Sequence, residues 1–286
     1  MRVTAILSTK GGVGKTTTTA NTGGLLADAG LRVLLVDLDS QPSLSSYYPI
    51  TAHAPGGIYE LIALNETRPE RIVSRTAIDG LDIVVSNDYQ GQLPQLLLNA
   101  PDGRFRLSHL LDSGALADYD AILIDTQGAR SITLEAAVLA ADHLLSPITP
   151  DLLSAREFVR GTIGMLDELE SLTRYTSLSV PPLSLLLNRL DETRNARDIT
   201  QSLRGMFEND LRVQVMDAHI RLLASFKMAG AAGEPIHRFE PVKPAKRVTP
   251  AGADLIKAMV KELNPEWARV IDALPTRKGG LCHVSH

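Results

Sequence analysis

Cysteine is nearly missing from this 286-residue chain: Cys282, four residues from the C-terminus, is the only one. A single thiol excludes an internal disulfide framework, a cysteine-based zinc site and a cysteine-held cluster, and a reducing cytoplasm is the expected compartment. No run approaches the ~18 uninterrupted apolar residues of a membrane-spanning helix. The N-terminus enters a strand-like stretch, Val3 to Ser8, without the architecture of a secretory signal. A surplus of positive charge is absent too. Lys and Arg number 29 against 33 Asp and Glu, a formal charge of −4, which disfavours a uniformly basic nucleic-acid binder. Fixed-period repeats, low-complexity tracts and long linkers are also lacking, so one domain is expected. With 44% apolar and 22% charged residues, the composition is that of a folded globular protein.

What the chain does contain is alternation. Short apolar, β-branched runs at Val3–Ser8, Arg32–Asp37, Leu81–Ser86, Ala121–Asp125, His143–Ile148, Leu183–Asn188 and Val213–Met216 read as strands. Helical spacing at Thr16–Ala29, Ile132–Ala141, Ser154–Leu172, Arg197–Phe207 and Ala251–Leu263 separates many of them. Strands alternating with helices predict an α/β fold with a mostly parallel central sheet flanked by helices on both faces. Two regions, Ser40–Gly57 and Gly230–Pro250, are rich in proline and read as loops that carry function.

The first strand runs into Lys10-Gly-Gly-Val-Gly-Lys-Thr-Thr17 and then into a helical pattern. Strand, glycine-rich loop and helix in that order make a phosphate-binding loop. Gly11, Gly12 and Gly14 let the backbone turn tightly, so that N–H groups around Val13 and Thr17 and the positive helix N-terminus face phosphate oxygens. Lys15 neutralises phosphate charge, and the Thr16 hydroxyl is the expected Mg²⁺ ligand. The generic motif begins with glycine, whereas Thr9 occupies that position here.

This K-G-G-x-G-K-T variant resembles the deviant Walker A motif of the ParA/MinD superfamily. Three further segments extend the likeness: Val36-Asp37-Leu-Asp39-Ser-Gln-Pro, Ala121-Ile-Leu-Ile-Asp125-Thr and Leu185-Leu-Leu-Asn188-Arg189. The resemblance implies a single-domain P-loop NTPase over residues 1–264, followed by a C-terminal helix and flexible tail over 265–286. It implies ATP and Mg²⁺ as cofactors and an ATP-bound homodimer in which Lys10 reaches the partner's phosphates. Asp39 then corresponds to the residue that positions the attacking water and approaches the metal, and Asp125 to the carboxylate that holds Mg²⁺ through its water shell. Asn188 corresponds to the adenine-reading residue, with Arg189 and Asp191 framing the base. Asp37 either approaches the metal beside Asp39 or caps the following loop. The absence of an Asn-Lys-x-Asp guanine motif favours ATP over GTP.

The likeness has gaps. Many relatives follow the Asp125-Thr pair of the Ala121 segment with two prolines, where this chain has Gln127-Gly-Ala-Arg130. The switch is then expected to be more flexible, and Gln127 and Arg130 are either γ-phosphate sensors or solvated loop residues. Pro42 follows Gln41, whereas many relatives place the proline first.

Charge is uneven along the chain. From Arg212 to Arg247 seven Lys and Arg face three acids, a local +4, which leaves −8 elsewhere. Summed local charge is what binds a phosphate backbone without reading sequence. In the family this late region binds non-specific DNA, which makes Arg221, Lys227, Arg238, Lys246 and Arg247 the candidates here. With the phosphate loop starting at residue 10, no room is expected for an N-terminal helix-turn-helix domain.

The resemblance therefore implies a ParA/Soj-like partition ATPase with a weak basal rate, cytoplasmic and nucleoid-associated, stimulated by a ParB-like partner. The alternative is a MinD-like membrane-cycling ATPase. Trp267, Val270, Ile271 and Leu274 do form an apolar helical stripe, but Glu266 and Asp272 offset Arg269, and the stripe reads as packed on the domain. No stable membrane association is expected. A cluster-carrying relative is disfavoured by the lone Cys282.

Overall fold

In the computed structural model, which describes residues 1–174, 176 and 178–275, nine strands form one sheet. The strands are β1 (Arg2–Ile6), β2 (Val33–Asp37), β3 (Ile50–Ala52), β4 (Ser74–Thr76), β5 (Leu81–Val84), β6 (Ala121–Asp125), β7 (His143–Ile148), β8 (Leu183–Leu190) and β9 (Val213–Arg221). Their order across the sheet is β3-β4-β5-β2-β6-β1-β7-β8-β9. From β5 to β9 every pairing is parallel, and at the other edge β4 alone runs against the rest, pairing antiparallel with both β3 and β5.

Alternate residues of the central strands feed two cores. Leu34 and Val36 of β2 enter one, with Val3 and Ala5 of β1. Val33 and Leu35 enter the other, with Ile6. This is the pleat of a strand covered on both faces. Helices Ile132–Leu139 and Gly164–Thr173 cover the first face, while Lys15–Asp28 and Gly252–Leu263 cover the second.

The seven expected strands are present and β9 is longer than its apolar core suggested. The two strands that sequence reading missed, β3 and β4, have three residues each and lie at the sheet edge. Short helices at Ile58–Ala63, Leu93–Asn99, Arg106–Asp112, Ala224–Ala232 and Ile236–Phe239 were not foreseen either. They are too short to show a period. The expected Ser154–Leu172 helix is an α-helix from Leu152 to Glu157, a π-helical turn from Phe158 to Ile163 and an α-helix from Gly164 to Thr173.

At the C-terminal end, Ile271 is fully buried, and Trp267 and Leu274 pack against the second core. Three members of the apolar stripe are therefore packed on the domain, while Val270 is exposed. Arg2 pairs with Glu266 at 2.5 Å, which ties this segment to β1. Cys282 and the remainder of the expected tail, 276–286, lie outside the described residues.

Candidate functional site

The phosphate loop leaves β1 and enters the Lys15–Asp28 helix with Gly14 as its N-cap. Gly12 and Gly14 adopt φ of 75° and 95°, a region that side-chain-bearing residues enter only with strain. At Gly14 space forbids a side chain as well, because a Cβ would collide with the Asn188 amide. That amide donates from Nδ2 to the Val13 carbonyl at 2.7 Å, stapling the loop to β8.

A cavity of about 670 Å³ opens over the loop, lined by Gly11, Gly12, Gly14, Lys15, Thr16 and Thr17. Asp39, Gln41 and Tyr47 line it from the segment after β2, and Gln127 from the segment after β6. Burial pushes the Lys15 ammonium below the ordinary lysine range, and the Asp125 and Asp39 carboxylates push it back. Thr16 donates from Oγ1 to Asp125 Oδ2 at 2.7 Å, and Thr19 donates to the other oxygen at 3.3 Å. Asp125 is fully buried. Burial raises its pKa to about 7 against the Thr16 hydrogen bond, and the Asp37 charge adds to the rise.

Asp39 lines the cavity and accepts from the Gln41 backbone N–H at 3.0 Å. Asp37 is buried and does something else. It accepts from the Ser45 N–H and hydroxyl at 2.8 and 2.7 Å and from the Asp39 N–H at 3.2 Å, so of its two readings the loop cap is the one observed. Burial lifts its pKa to about 6.

The donor set fits Mg²⁺. A threonine hydroxyl and two carboxylates are hard oxygen ligands, too few for an all-protein cage and suited to an ion that keeps its waters and takes phosphate oxygens. Among the described residues no group of three or more His, Cys, Asp or Glu is arranged to hold a metal alone.

Lys10 lies against its own chain. Its Nζ donates to Ser154 Oγ at 2.6 Å and stands 3.5 Å from Asp151 Oδ1. Burial pushes Asp151 up, but hydrogen bonds from Thr149 and Ser154 and the Lys10 charge bring its pKa to about 2. Ser154 sits on the first turn of the Leu152–Glu157 helix, which Asp151 caps.

A second cavity, about 630 Å³, adjoins Gly14, Thr17 and Asn188 and is walled by Ile220, Leu223, Phe226 and Ile256. An apolar chamber beside the phosphate loop, with a buried amide on its wall, suits a nucleobase. Asn188 spends one N–H on Val13 and accepts from the Arg189 N–H at 2.9 Å, which leaves one N–H and one lone pair for a base. Arg189, with φ of 56°, borders both cavities.

Several expectations need correction. Asp191 accepts from the Thr193 N–H and hydroxyl at 3.1 and 2.6 Å, next to the N-cap of Arg194–Phe207, so it orders a turn and is not among the residues lining the base chamber. Arg130 is paired with Glu135 and Glu168 and is no phosphate sensor in this arrangement, whereas Gln127 does face the phosphate cavity. Arg221 and Lys227 line the base chamber, and Arg221 stands 3.5 Å from Glu192. Arg238 forks onto Asp28, with Nε to Oδ2 at 2.6 Å. Arg247 forks onto Glu240 and donates to the Thr249 and Pro250 carbonyls. Of the five candidate DNA contacts, only Lys227 and Lys246 are exposed with no ion pair among the described residues, and Lys243 shares that state.

Comparison with known proteins bears on this site. A family profile described as "AAA domain" (AAA_31) matches residues 1–175. The chain belongs to this family, within the ParA/MinD group of P-loop ATPases. It is 28% identical over 223 residues to the chromosome partitioning protein ParA of Myxococcus xanthus, covering 77% of both chains. It is 25% identical over 242 residues to the sporulation initiation inhibitor protein Soj of Bacillus subtilis, covering 84% of this chain and 92% of that one. In fold it is similar to an ATP complex of a Cyanothece McdA variant, with a TM-score of 0.73, 23% identity and coverage of 92% and 95%. As a member of this group the protein is an ATPase.

Sequence reading missed Tyr47, which lines the phosphate cavity, and Phe226, which walls the base chamber. Tyr47 belongs to no motif, and Phe226 lies in the Ile220–Ile236 stretch, which resembles the family's stretch before the last helix but stands out only for its basic residues. Both come from segments read as loop or connection, and only tertiary packing brings them to the site.

Proposed function

We propose that this ATPase is a DNA-partition protein of the ParA/Soj type: ATP and Mg²⁺ bind, two copies close face to face around their nucleotides, and the dimer holds DNA without reading its sequence. The observation that carries the reading is the site's charge arrangement, with Lys15 buried in the lining of the phosphate cavity and a second cation, Lys10, one residue before the cavity-lining Gly11 and held at Ser154 and Asp151. The name of the Myxococcus xanthus relative, a chromosome partitioning protein, supports the same reading.

Bound Mg²⁺ supplies charge neutralisation to the phosphates, and Thr16, Asp125 and Asp39 are the residues that hold it. Lys15 balances charge on the transferring phosphoryl group from within the chain. Asp39, half-exposed at the cavity wall, orients the attacking water. Lys10 exchanges Ser154 and Asp151 for phosphate oxygens of the partner copy, as a cation supplied in trans. A ParB-like partner stimulates hydrolysis, the dimer opens and DNA is released to the nucleoid pool. DNA contacts fall to the unpaired lysines, Lys227 and Lys246 together with Lys243.

The membrane-cycling alternative has little to build on among the described residues, since the stripe it needs is buried at Ile271 and packed at Trp267 and Leu274. Sedimentation with ATP, with ADP and without nucleotide tests the dimer. Wild type is expected to dimerise only with ATP and Lys10→Ala to remain monomeric; a wild-type monomer in all three states contradicts the proposal.

A further inference from the structure

Tyr47 stands at a junction that the motifs do not describe. It lines the phosphate cavity together with Lys15 and Thr16. Its hydroxyl accepts a hydrogen bond from Asn21 Nδ2 at 3.1 Å, and no acceptor for its own proton is found among the described residues. A phenol that accepts on one side keeps its O–H for another partner. Burial holds the Tyr47 pKa above its ordinary value, so the proton is present at neutral pH.

Asn21 is fully buried and joins three elements at once. Its Nδ2 also donates to the Thr17 carbonyl at 2.7 Å, and its Oδ1 accepts from the Ile236 N–H at 2.6 Å. One side chain thus links the phosphate-loop helix, Tyr47 and the start of the Ile236–Phe239 helix. The Ala224–Ala232 helix closes the junction from the other side. A Cβ on Gly230 would stand 3.2 Å from the Tyr47 hydroxyl, so the backbone of that helix rests directly on the phenol. Tyr48 fixes the pair from behind, packing edge-on to Tyr47 with ring centroids 4.9 Å apart and donating to the Ala20 carbonyl at 2.9 Å.

We infer that Tyr47 is a phosphate-binding residue whose hydroxyl donates to a phosphate oxygen of the bound nucleotide and, through Asn21 and Gly230, signals occupancy to the Ala224–Phe239 segment. The inference rests on the nucleotide-binding reading and adds to it both a contact and a route. A hydrogen bond drawn to phosphate shifts the phenol, and a junction this tightly packed cannot absorb the shift locally. The segment that moves carries Lys227 and leads into Lys243 and Lys246. Nucleotide state is thereby coupled to the unpaired lysines.

The test is Tyr47→Phe, which keeps the ring against Gly230 and Tyr48 and removes only the hydroxyl. Two readouts are needed: equilibrium binding of a fluorescent ATP analogue with Mg²⁺, and hydrogen exchange of residues 224–239 with and without saturating Mg-ATP. The variant is expected to bind about tenfold more weakly, the effect of losing one hydrogen bond to a charged group. At saturation, wild type is expected to gain protection at Ile236 and the variant to show no such change; no change in wild type would overturn the route. Gly230→Ala approaches the junction from the opposite side, and a few-fold loss of ATP affinity is expected from its displacement of the phenol. Failure of the wild type to bind ATP defeats the nucleotide-binding reading itself. If wild type binds and Tyr47→Phe matches its affinity within twofold, Tyr47 is not a phosphate ligand. If affinity falls while protection at Ile236 still changes as in wild type, the route through Asn21 is wrong.

Discussion

The two ends of this molecule use positive charge in opposite ways. Around the phosphate loop, Lys15 is buried beneath an open cavity with Asp125 and Asp39 near enough to act on its charge, so its charge is held ready for an anion. Between Arg212 and Arg247 the arginines are already committed. Arg212 contacts Asp167, Glu170 and Asp210, Arg221 stands beside Glu192, and Arg238 and Arg247 fork onto Asp28 and Glu240. The planar fork suits a carboxylate, whereas the ammonium of lysine is strongly hydrated and stays in solvent. A count of +4 therefore overstates how much of the segment is available to DNA. The difference teaches that a charged site is defined by what its cations lack, and three lysines lack ion-pair partners among the described residues.

That contrast can be broken by substitution. Lys15→Ala removes a cation no other residue replaces, and ATP affinity is expected to fall at least about a hundredfold by fluorescent-analogue titration. Asp39→Ala is expected to leave ATP binding within a few-fold of wild type while hydrolysis drops by about two orders of magnitude, measured as phosphate release. A parallel loss of binding would leave Asp39 a metal ligand only, with no separate hold on the attacking water.

Asp125 sharpens the buried side of the comparison through pH. Its native pKa of about 7 lies above the ordinary carboxylate value, as does that of Asp37 at about 6. Protonation thus favours the folded, nucleotide-free protein. This contribution is fully present below about pH 4 and is lost as pH rises through 6 and 7. Asp125→Asn is expected to raise the melting temperature by about 5 °C at pH 8 and by little at pH 5. An equal shift at both pH values would contradict the assignment.

Two further substitutions separate paired from unpaired cations. Arg238→Ala leaves the part-buried Asp28 carboxylate with His237 as its remaining partner and is expected to cost about 1 to 2 kcal/mol of stability in chemical denaturation, with ATP-dependent DNA binding retained. Lys246→Ala is expected to leave stability unchanged, weaken DNA binding a few-fold and lower the salt slope by about one. The reverse pattern would return Arg238 to the DNA surface.

The same contrast shows what a sequence can disclose. The phosphate loop is legible because its chemistry demands particular residue types at adjacent positions, and Gly12, Gly14, Lys15 and Thr16 take those places within one turn. The parallel sheet is legible because doubly covered strands are apolar throughout. The cationic segment is not, because the partner that neutralises Arg238 lies 210 residues away at Asp28. Lys227 reads as surface charge until the Ala224–Ala232 helix sets it at the base chamber. Tyr47 carries no signal at all, since its role depends on Asn21 and Gly230 meeting it from two distant helices.

The central claim is that nucleotide occupancy switches a DNA-binding surface. Its most direct measurement is DNA co-sedimentation with ATP, with ADP and without nucleotide, at two salt concentrations, for wild type and Lys15→Ala. Wild type is expected to bind DNA strongly only with ATP, less so at the higher salt, and Lys15→Ala is expected not to respond to nucleotide. Equal DNA binding by wild type in all three states, or none in any, would contradict the account.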